Sequence, residues 1–425
     1  MARNRTTIAW SFVFGIISAC DPLLAAQVRR ARPNAMTGAE PIYRDPSLAS
    51  LFLSFVRLGA TAFGGPAMVA YIRRMAVEQQ RWLDDATFRD GVALCQTIPG
   101  ATAMQTAAYV GFRARGVAGA AVSFIGFGLP AFILMVGLSA FYARSYTLPP
   151  VVAIFHGLQV VVVALVANAT VTFGQSSLKG FWDVAIAIVA AGLFGWGVSP
   201  ILVIALAALA GLAIHKDNSV ETLRAVSTKE SGSVVSLATI AAVAAFGFVL
   251  LFLLERRLFE LAAVLFKVDL FAFGGGFASL PLMFHEIVEV RSWMDGQTFL
   301  NGIALGQITP GPIVITATFV GYMVAGLVGA VVATVSVFLP SFLIVVGAAS
   351  YFDKLRRSAY FTRALGGILG SFVGLLLIVT FRFASAISWN VPRTLLAVAA
   401  FIALLAKVDI IWVVFAGTLI SVFLF

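Results

Sequence analysis

Four short segments of this sequence place glycine and proline inside otherwise apolar surroundings: Ala62-Phe63-Gly64-Gly65-Pro66, Thr97-Ile98-Pro99-Gly100, Phe273-Gly274-Gly275-Gly276 and Thr309-Pro310-Gly311-Pro312. Proline removes a helical donor and glycine permits turns, so each segment can stop a helix and leave backbone amides without partners. A helix amino terminus of that kind presents N–H groups and a partial positive charge, which suits an anion. The alternative is that these glycines only let helices pack closely. Four such motifs in duplicated register weigh against it.

A cation stands six residues before the phenylalanine that leads each glycine pair, Arg57 before Phe63 and Lys267 before Phe273. Placing such a charge at the centre of an apolar helix costs roughly 2.5–3.5 kcal/mol on insertion scales, which a pore, an ion pair or a substrate offsets. Snorkelling of the long side chain to an interface is the competing explanation. Two cations and several bare amide ends converging on one cavity would hold a small oxyanion. The expected binding set is Arg57, Lys267, Gly64, Gly65, Gly274, Gly275, Gln96, Pro99, Gly100, Gln307, Thr309, Pro310 and Gly311. Gln96 and Gln307 would donate hydrogen bonds, with Asn168, Thr97 and Gln105 as weaker donors.

Proton-carrying candidates are fewer. Asp269 follows Lys267 by two residues and has Gly59 as its counterpart, so it either titrates or pairs with Lys267. His156 and His285 either relay protons or serve as packing residues, and Glu286, beside His285 and Glu289, is the remaining proton-coupling candidate. Arg382, matching Thr172, is expected at an interface. Enzymatic chemistry has little to stand on. No lysine follows a glycine in a phosphate loop, and no His-Glu-x-x-His, nucleophile elbow or carboxylate pair lies in the apolar segments. Cys20 and Cys95 have no paired spacing, so the expectation is no catalytic residue, no cofactor and no metal.

The elements that carry these residues belong to a membrane protein. With 60% hydrophobic and 11% charged residues, and a mean hydropathy of +0.99, a water-soluble fold of 425 residues is excluded. A net charge of +10 would otherwise suggest nucleic acid, but the arginines sit in short loops between apolar runs, where they set topology.

The motifs repeat at a displacement of about 210 residues. Trp82-Leu83-Asp84 is echoed by Trp293-Met294-Asp295, Gly91-Val92-Ala93-Leu94 by Gly302-Ile303-Ala304-Leu305, Val110-Gly111-Phe112 by Val320-Gly321-Tyr322, and Leu129-Pro130 by Leu339-Pro340. This predicts an all-α polytopic chain of two tandem homologous halves, 48–214 and 258–425. Residues 215–257 between them hold a polar loop and one apolar stretch long enough to cross a bilayer. Residues 1–46 have the charge pattern of a targeting segment, or precede a true start near Met36, and fall outside the fold.

Basic residues flank the Pro-Gly segment in the first half, whereas in the second half they move to the following loop, at Lys354, Arg356 and Arg357. That reversal predicts inverted repeats, provided residues 91–112 and 302–322 dip in and return as re-entrant or broken helices.

At these residues the sequence resembles the chromate ion transporter family, in its long form with two fused homologous domains. The resemblance spans about 48–425 and is closest over Phe271-Ala272-Phe273-Gly274-Gly275-Gly276 and from Gly306-Gln307-Ile308-Thr309-Pro310-Gly311-Pro312 to Val320-Gly321-Tyr322. In the first domain Ala101 stands where the family usually has a second proline. The resemblance implies a secondary transporter that expels chromate across a bacterial inner membrane by proton-coupled antiport, with sulfate as the chemical look-alike and Arg57 and Lys267 at the family's basic position. The expected partners are a chromate- or sulfate-like oxyanion, protons and the lipid bilayer, with no nucleic acid and a homodimer as the candidate assembly. The alternatives are an anion channel and an uptake transporter for sulfate or another oxyanion.

Overall fold

The computed structural model describes residues 45–63, 65–214, 233–349 and 358–424, which form fifteen α-helices and no strand. Most of the leader (1–44), the predicted ligand Gly64, the polar loop 215–232 and the basic loop with Lys354, Arg356 and Arg357 lie outside the described residues. The first copy comprises α1 (Leu48–Thr61), α2 (Gly65–Arg73, continued by the π-helical turn Arg74–Gln79), α3 (Asp85–Thr97), α4 (Thr102–Ser145), α5 (Pro149–Ser177), α6 (Phe181–Gly195) and α7 (Pro200–Ile214). Helix α8 (Ser233–Leu254) follows. The second copy comprises α9 (Arg256–Phe271), α10 (Ser279–Phe284, continued by the π-helical turn His285–Val290), α11 (Gly296–Ile308), α12 (Thr316–Ala349), α13 (Ala359–Ser385), α14 (Val391–Leu405) and α15 (Ile410–Leu424).

All four interruptions stop a helix, and at each the chain turns back. The ring of Tyr109 covers Gly91 and the ring of Phe319 covers Gly302, so closely that neither glycine has room for a side chain. Helix α3 and the first turns of α4 therefore form an antiparallel hairpin with its tip at 98–101, and α11 with the first turns of α12 forms its equivalent at 309–312. An arm of 13 residues is about 20 Å long, well short of the ~30 Å hydrocarbon thickness. These are broken helices that return, as the sequence predicted. Helices α1 and α2 form a further hairpin, because Trp82 beyond the π turn stacks 6.4 Å from Phe55 in α1.

A second reversal is hidden inside α4 and α12. Arg115-Gly116 and Ala325-Gly326 leave helical geometry, with φ of 63° and 60° at the glycines. Across these turns Gly111 packs on Gly119 and Gly321 on Gly329. Within α4 and α12, the stretches beyond, 117–145 and 327–349, are the ones long enough to cross a bilayer.

The two copies face each other through equivalent helices. Thr170 Oγ1 of α5 and Thr380 Oγ1 of α13, which match in the repeat, lie 3.4 Å apart, and Gly174 meets Val373. Phe124 and Tyr142 of α4 meet Phe338 and Phe319 of α12, at ring distances of 6.2 and 5.3 Å. Along α5 and α13 residue numbers rise on one helix as they fall on the other, so this pair is antiparallel. Touching counterparts on antiparallel helices define a two-fold axis perpendicular to those helices.

Five helices are long and apolar enough to cross a membrane, and apolar side chains such as Ile133, Phe141, Ile188, Phe246, Val335 and Phe381 are exposed around the outside. Lipid accepts such a surface where water would not. The protein is an all-α polytopic integral membrane protein.

Candidate functional site

The hairpin tips of the two copies meet at the centre. The Gly100 N–H donates to the Ala272 carbonyl at 2.9 Å, and the Gly311 N–H donates to the Ala62 carbonyl at 3.1 Å. Each Pro-Gly tip is thus tied to the glycine-rich tip of the other copy by the same bond. Gly100 and Gly311 both have φ +118°, a left-handed conformation that disfavours a side chain, and the space a Cβ would take is filled by Ser341 and Ala131 respectively.

Beside these tips lies a cavity of about 930 Å³. Ala101, Thr102 and Ala103 at the start of α4 line it, as do Gly274, Gly275 and Gly276, and Gly311, Pro312 and Ile313. The first N–H groups of a helix have no partner within it, so chain ends from both copies turn amides toward one space. Gly274 and Gly275 keep φ at +94° and +96°, and the Phe173 ring lies directly on Gly274. Polar side chains converge as well: Gln96, Gln307, Thr309, Asn168 and Thr172. Such a lining neutralises a small anion through dipoles and hydrogen bonds.

Two cations complete the lining, Arg73 and Arg89. Both hold Asp85, at 2.6 Å in the case of Arg73, which also pairs with Glu78 at 2.7 Å. The Arg89 side chain is 76% exposed, so this pair marks the accessible end of the cavity. Hydrogen bonds from Arg73 and then Arg89 hold the Asp85 carboxyl below the usual carboxylate range. The sequence reading took both arginines as topology signals only. Their asymmetry in the repeat, Arg73 against Phe284 and Arg89 against Leu300, was the signal available.

Of the predicted ligands, Gln96, Gln307, Thr309, Gly274, Gly275 and Gly311 line the cavity. Pro99, Gly100 and Pro310 form the tips without lining it, and Gly65 opens α2. Arg57 and Lys267 are not brought into it. Arg57 is exposed on α1, and Lys267 pairs with Glu286, which also binds Arg291. Lys267 ties the two arms of the α9/α10 hairpin, which is the partner that explains a cation in this helix.

The Lys267–Asp269 pair is also not formed. Asp269 is fully buried, and its Oδ2 accepts from the Ser341 N–H at 2.9 Å and from the Ser341 hydroxyl at 2.7 Å. Residues two apart on a helix do not share a face, so one side chain meets the neighbouring hairpin arm and the other meets α12. His156 lies in α5 away from the cavity lining. His285 bonds Glu289 at 2.8 Å.

Arg382 stands in the last turn of α13 and is partnered. It pairs with Glu289 at 2.5 Å, lies 4.2 Å from the Phe194 ring centre and donates to the Phe194 carbonyl at 2.8 Å. Close by, Phe284, Phe299 and Phe383 pack together at ring distances of 5.3–6.2 Å. Their counterparts are Arg73, Phe88 and Phe173, all of which line the cavity. The position equivalent to the cavity is therefore filled with aromatic rings in the second copy.

Paired half-length hairpins, duplicated and meeting beside one cavity, are the architecture of a membrane transporter. The family model described as chromate transporter matches residues 49–212 and again 259–422, and the chain belongs to the chromate transporter family. It is 42% identical over 372 residues to an uncharacterized transporter of Methanocaldococcus jannaschii, covering 87% of this chain and 92% of the relative. Chromate transport proteins of Cupriavidus metallidurans and Pseudomonas aeruginosa are each 31% identical, over 88% and 91% of this chain and 92% and 95% of their own lengths. No solved structure matches the chain.

Proposed function

We propose that this protein is a secondary active transporter that carries chromate or a similar tetrahedral dianion across the inner membrane, coupled to the proton gradient. The observation carrying this reading is the reciprocal pair of tip bonds, Gly100 to Ala272 and Gly311 to Ala62, which gathers amide ends of both copies around one cavity. Gln96, Gln307, Thr309, Asn168 and the amides of Thr102, Ala103, Gly275 and Gly276 replace the anion's water, and Arg73 and Arg89 attract it. The named activity of the Cupriavidus and Pseudomonas relatives agrees with this chemistry.

Inverted topology is part of the proposal. The two-fold axis runs perpendicular to helices that cross the bilayer, which puts it in the membrane plane. Each copy contributes two full crossings, 117–145 with α5 and 327–349 with α13, and α8 supplies the odd crossing that starts the second copy on the opposite face. A cavity accessible at one end and sealed by Phe284, Phe299 and Phe383 at the equivalent place favours alternating access over a continuous pore.

The test is counterflow of radiolabelled chromate and sulfate in proteoliposomes, with and without a pH gradient. Saturable uptake accelerated by anion on the far side is expected. Gln307→Ala removes one hydrogen bond to a charged guest, worth about 1.5–3 kcal/mol, and lowers apparent affinity about 10- to 100-fold. Unsaturable flux without counterflow would instead identify a channel.

A further inference from the structure

The two Pro-Gly tips differ in one chain of contacts. The Ala101 N–H, at the cavity wall, donates to Ser341 Oγ at 2.9 Å, and the Ser341 hydroxyl donates to Asp269 at 2.7 Å. The equivalent positions at the other tip are Pro312, Ala131 and Gly59. Proline has no N–H to satisfy, alanine has no hydroxyl and glycine has no carboxylate, so all three members of the chain are missing together. Asp269 is therefore not required to build a tip of this shape, since the opposite tip forms without it.

Its surroundings make it costly. Asp269 is 0% exposed and its Oδ1 has no hydrogen-bond partner. The elements packed against α9 are α8, α10 and α12. Helices α8 and α12 contain no Asp, Glu, Lys, Arg or His, and Tyr322 is the one titratable side chain of α12. The π turn after α10 bears His285, Glu286 and Glu289, and these are engaged with one another's partners: Lys267 and Arg291 at Glu286, and Arg382 and His285 at Glu289. On α9 itself Arg256 pairs with Glu260 and Arg257 lies at the same far end. Among the described residues no cation neutralises Asp269, so burial leaves a charge on it without a counterion.

We infer that Asp269 is the coupled proton site of this transporter: it takes a proton when an oxyanion occupies the cavity and releases it when the anion leaves. The inference rests on the oxyanion reading above. A dianion at the start of α4 stands two hydrogen bonds from this carboxyl. Two negative charges so placed in a poorly polarisable interior repel, so each ligand, proton and anion, raises the affinity for the other by the same factor. No covalent bond is involved; the proton adds to Asp269 and the Ser341 hydroxyl, no longer pulled by a carboxylate, is freer to serve the Ala101 end of the cavity.

The experiment is equilibrium binding of radiolabelled sulfate, which keeps its double charge across the range scanned, and of chromate, to the purified full chain in nanodiscs as a function of pH. For wild type the affinity falls with rising pH, by up to about tenfold per pH unit once the free protein has lost the Asp269 proton. In Asp269→Asn the profile is flat, at the wild-type low-pH affinity. The triple variant Asp269→Gly, Ser341→Ala, Ala101→Pro copies the set already present at the other tip and is also flat. An Asp269→Asn profile that keeps the wild-type pH dependence overturns the inference, as does one lowered equally at every pH, the mark of a purely structural role. Wild type that binds neither anion overturns the oxyanion reading itself.

Discussion

The accessible end of the cavity and the sealed end opposite are built from matching positions, yet one carries two arginines and the other closes on aromatic rings. Arg73, Phe88, Arg89 and Phe173 border the cavity, whereas Phe284, Phe299 and Phe383 close on each other behind the Arg382–Glu289 bridge. A duplicated fold thus supplies two potential entrances, and side-chain substitution after duplication makes them unequal. The hairpin tips beside the cavity belong to both copies. The two arginines at its open end and the buried carboxyl of Asp269 belong to one copy each.

Changes that blur this inequality have the largest expected effects. Phe284→Arg gives the sealed end the cation of its counterpart, but at a position only 6% exposed and without a carboxylate like Asp85. An uncompensated buried charge costs about 3–5 kcal/mol, so folded yield and transport are expected to collapse, measured by size-exclusion profile and counterflow.

Next in size is a pair of cysteines at equivalent sites in a background lacking Cys20 and Cys95. Ala93 lines the cavity and Ala304 is 1% exposed. Ala93→Cys is expected to react with a small maleimide about a hundredfold faster than Ala304→Cys, which reacts only through local opening. Equal rates would remove the distinction between the ends.

Smaller still, Arg73→Ala weakens anion affinity about tenfold and flattens its salt dependence, since the contribution is partly exposed and screened. Lys267→Ala leaves affinity near wild type and lowers the melting temperature instead, because it strips Glu286 of a partner within the hairpin. The smallest effect belongs to Glu289→Ala, which removes a bridge worth about 0.2–1 kcal/mol and speeds Ala304→Cys labelling by no more than about fivefold.

Much of the backbone plan was legible in the sequence because glycine and proline act locally. The breaks at Phe63-Gly64, Pro99-Gly100, Phe273-Gly274 and Pro310-Gly311 follow from what those residues do to a helix, and duplication let each copy vouch for the other. The hairpin of α3 with α4 could be inferred before it was seen. The pairing of charges was not legible. Lys267 looks two residues ahead to Asp269 in the chain, but 200° of helical rotation separates them, and the true partner Glu286 comes near only once the hairpin closes. Arg382 likewise meets Glu289 and Phe194, distant in sequence, only once the chain is folded. Side-chain partners are set by the fold, whereas helix ends are set by the residues that make them.

The most direct measurement of where the anion sits is a chromium anomalous difference map from crystals of the wild-type chain soaked in chromate. The account predicts one peak in the cavity between the start of α4 at Thr102 and the Gly275-Gly276 turn, within reach of Gln307. A peak beside Arg57 or Lys267 with none in the cavity would contradict it.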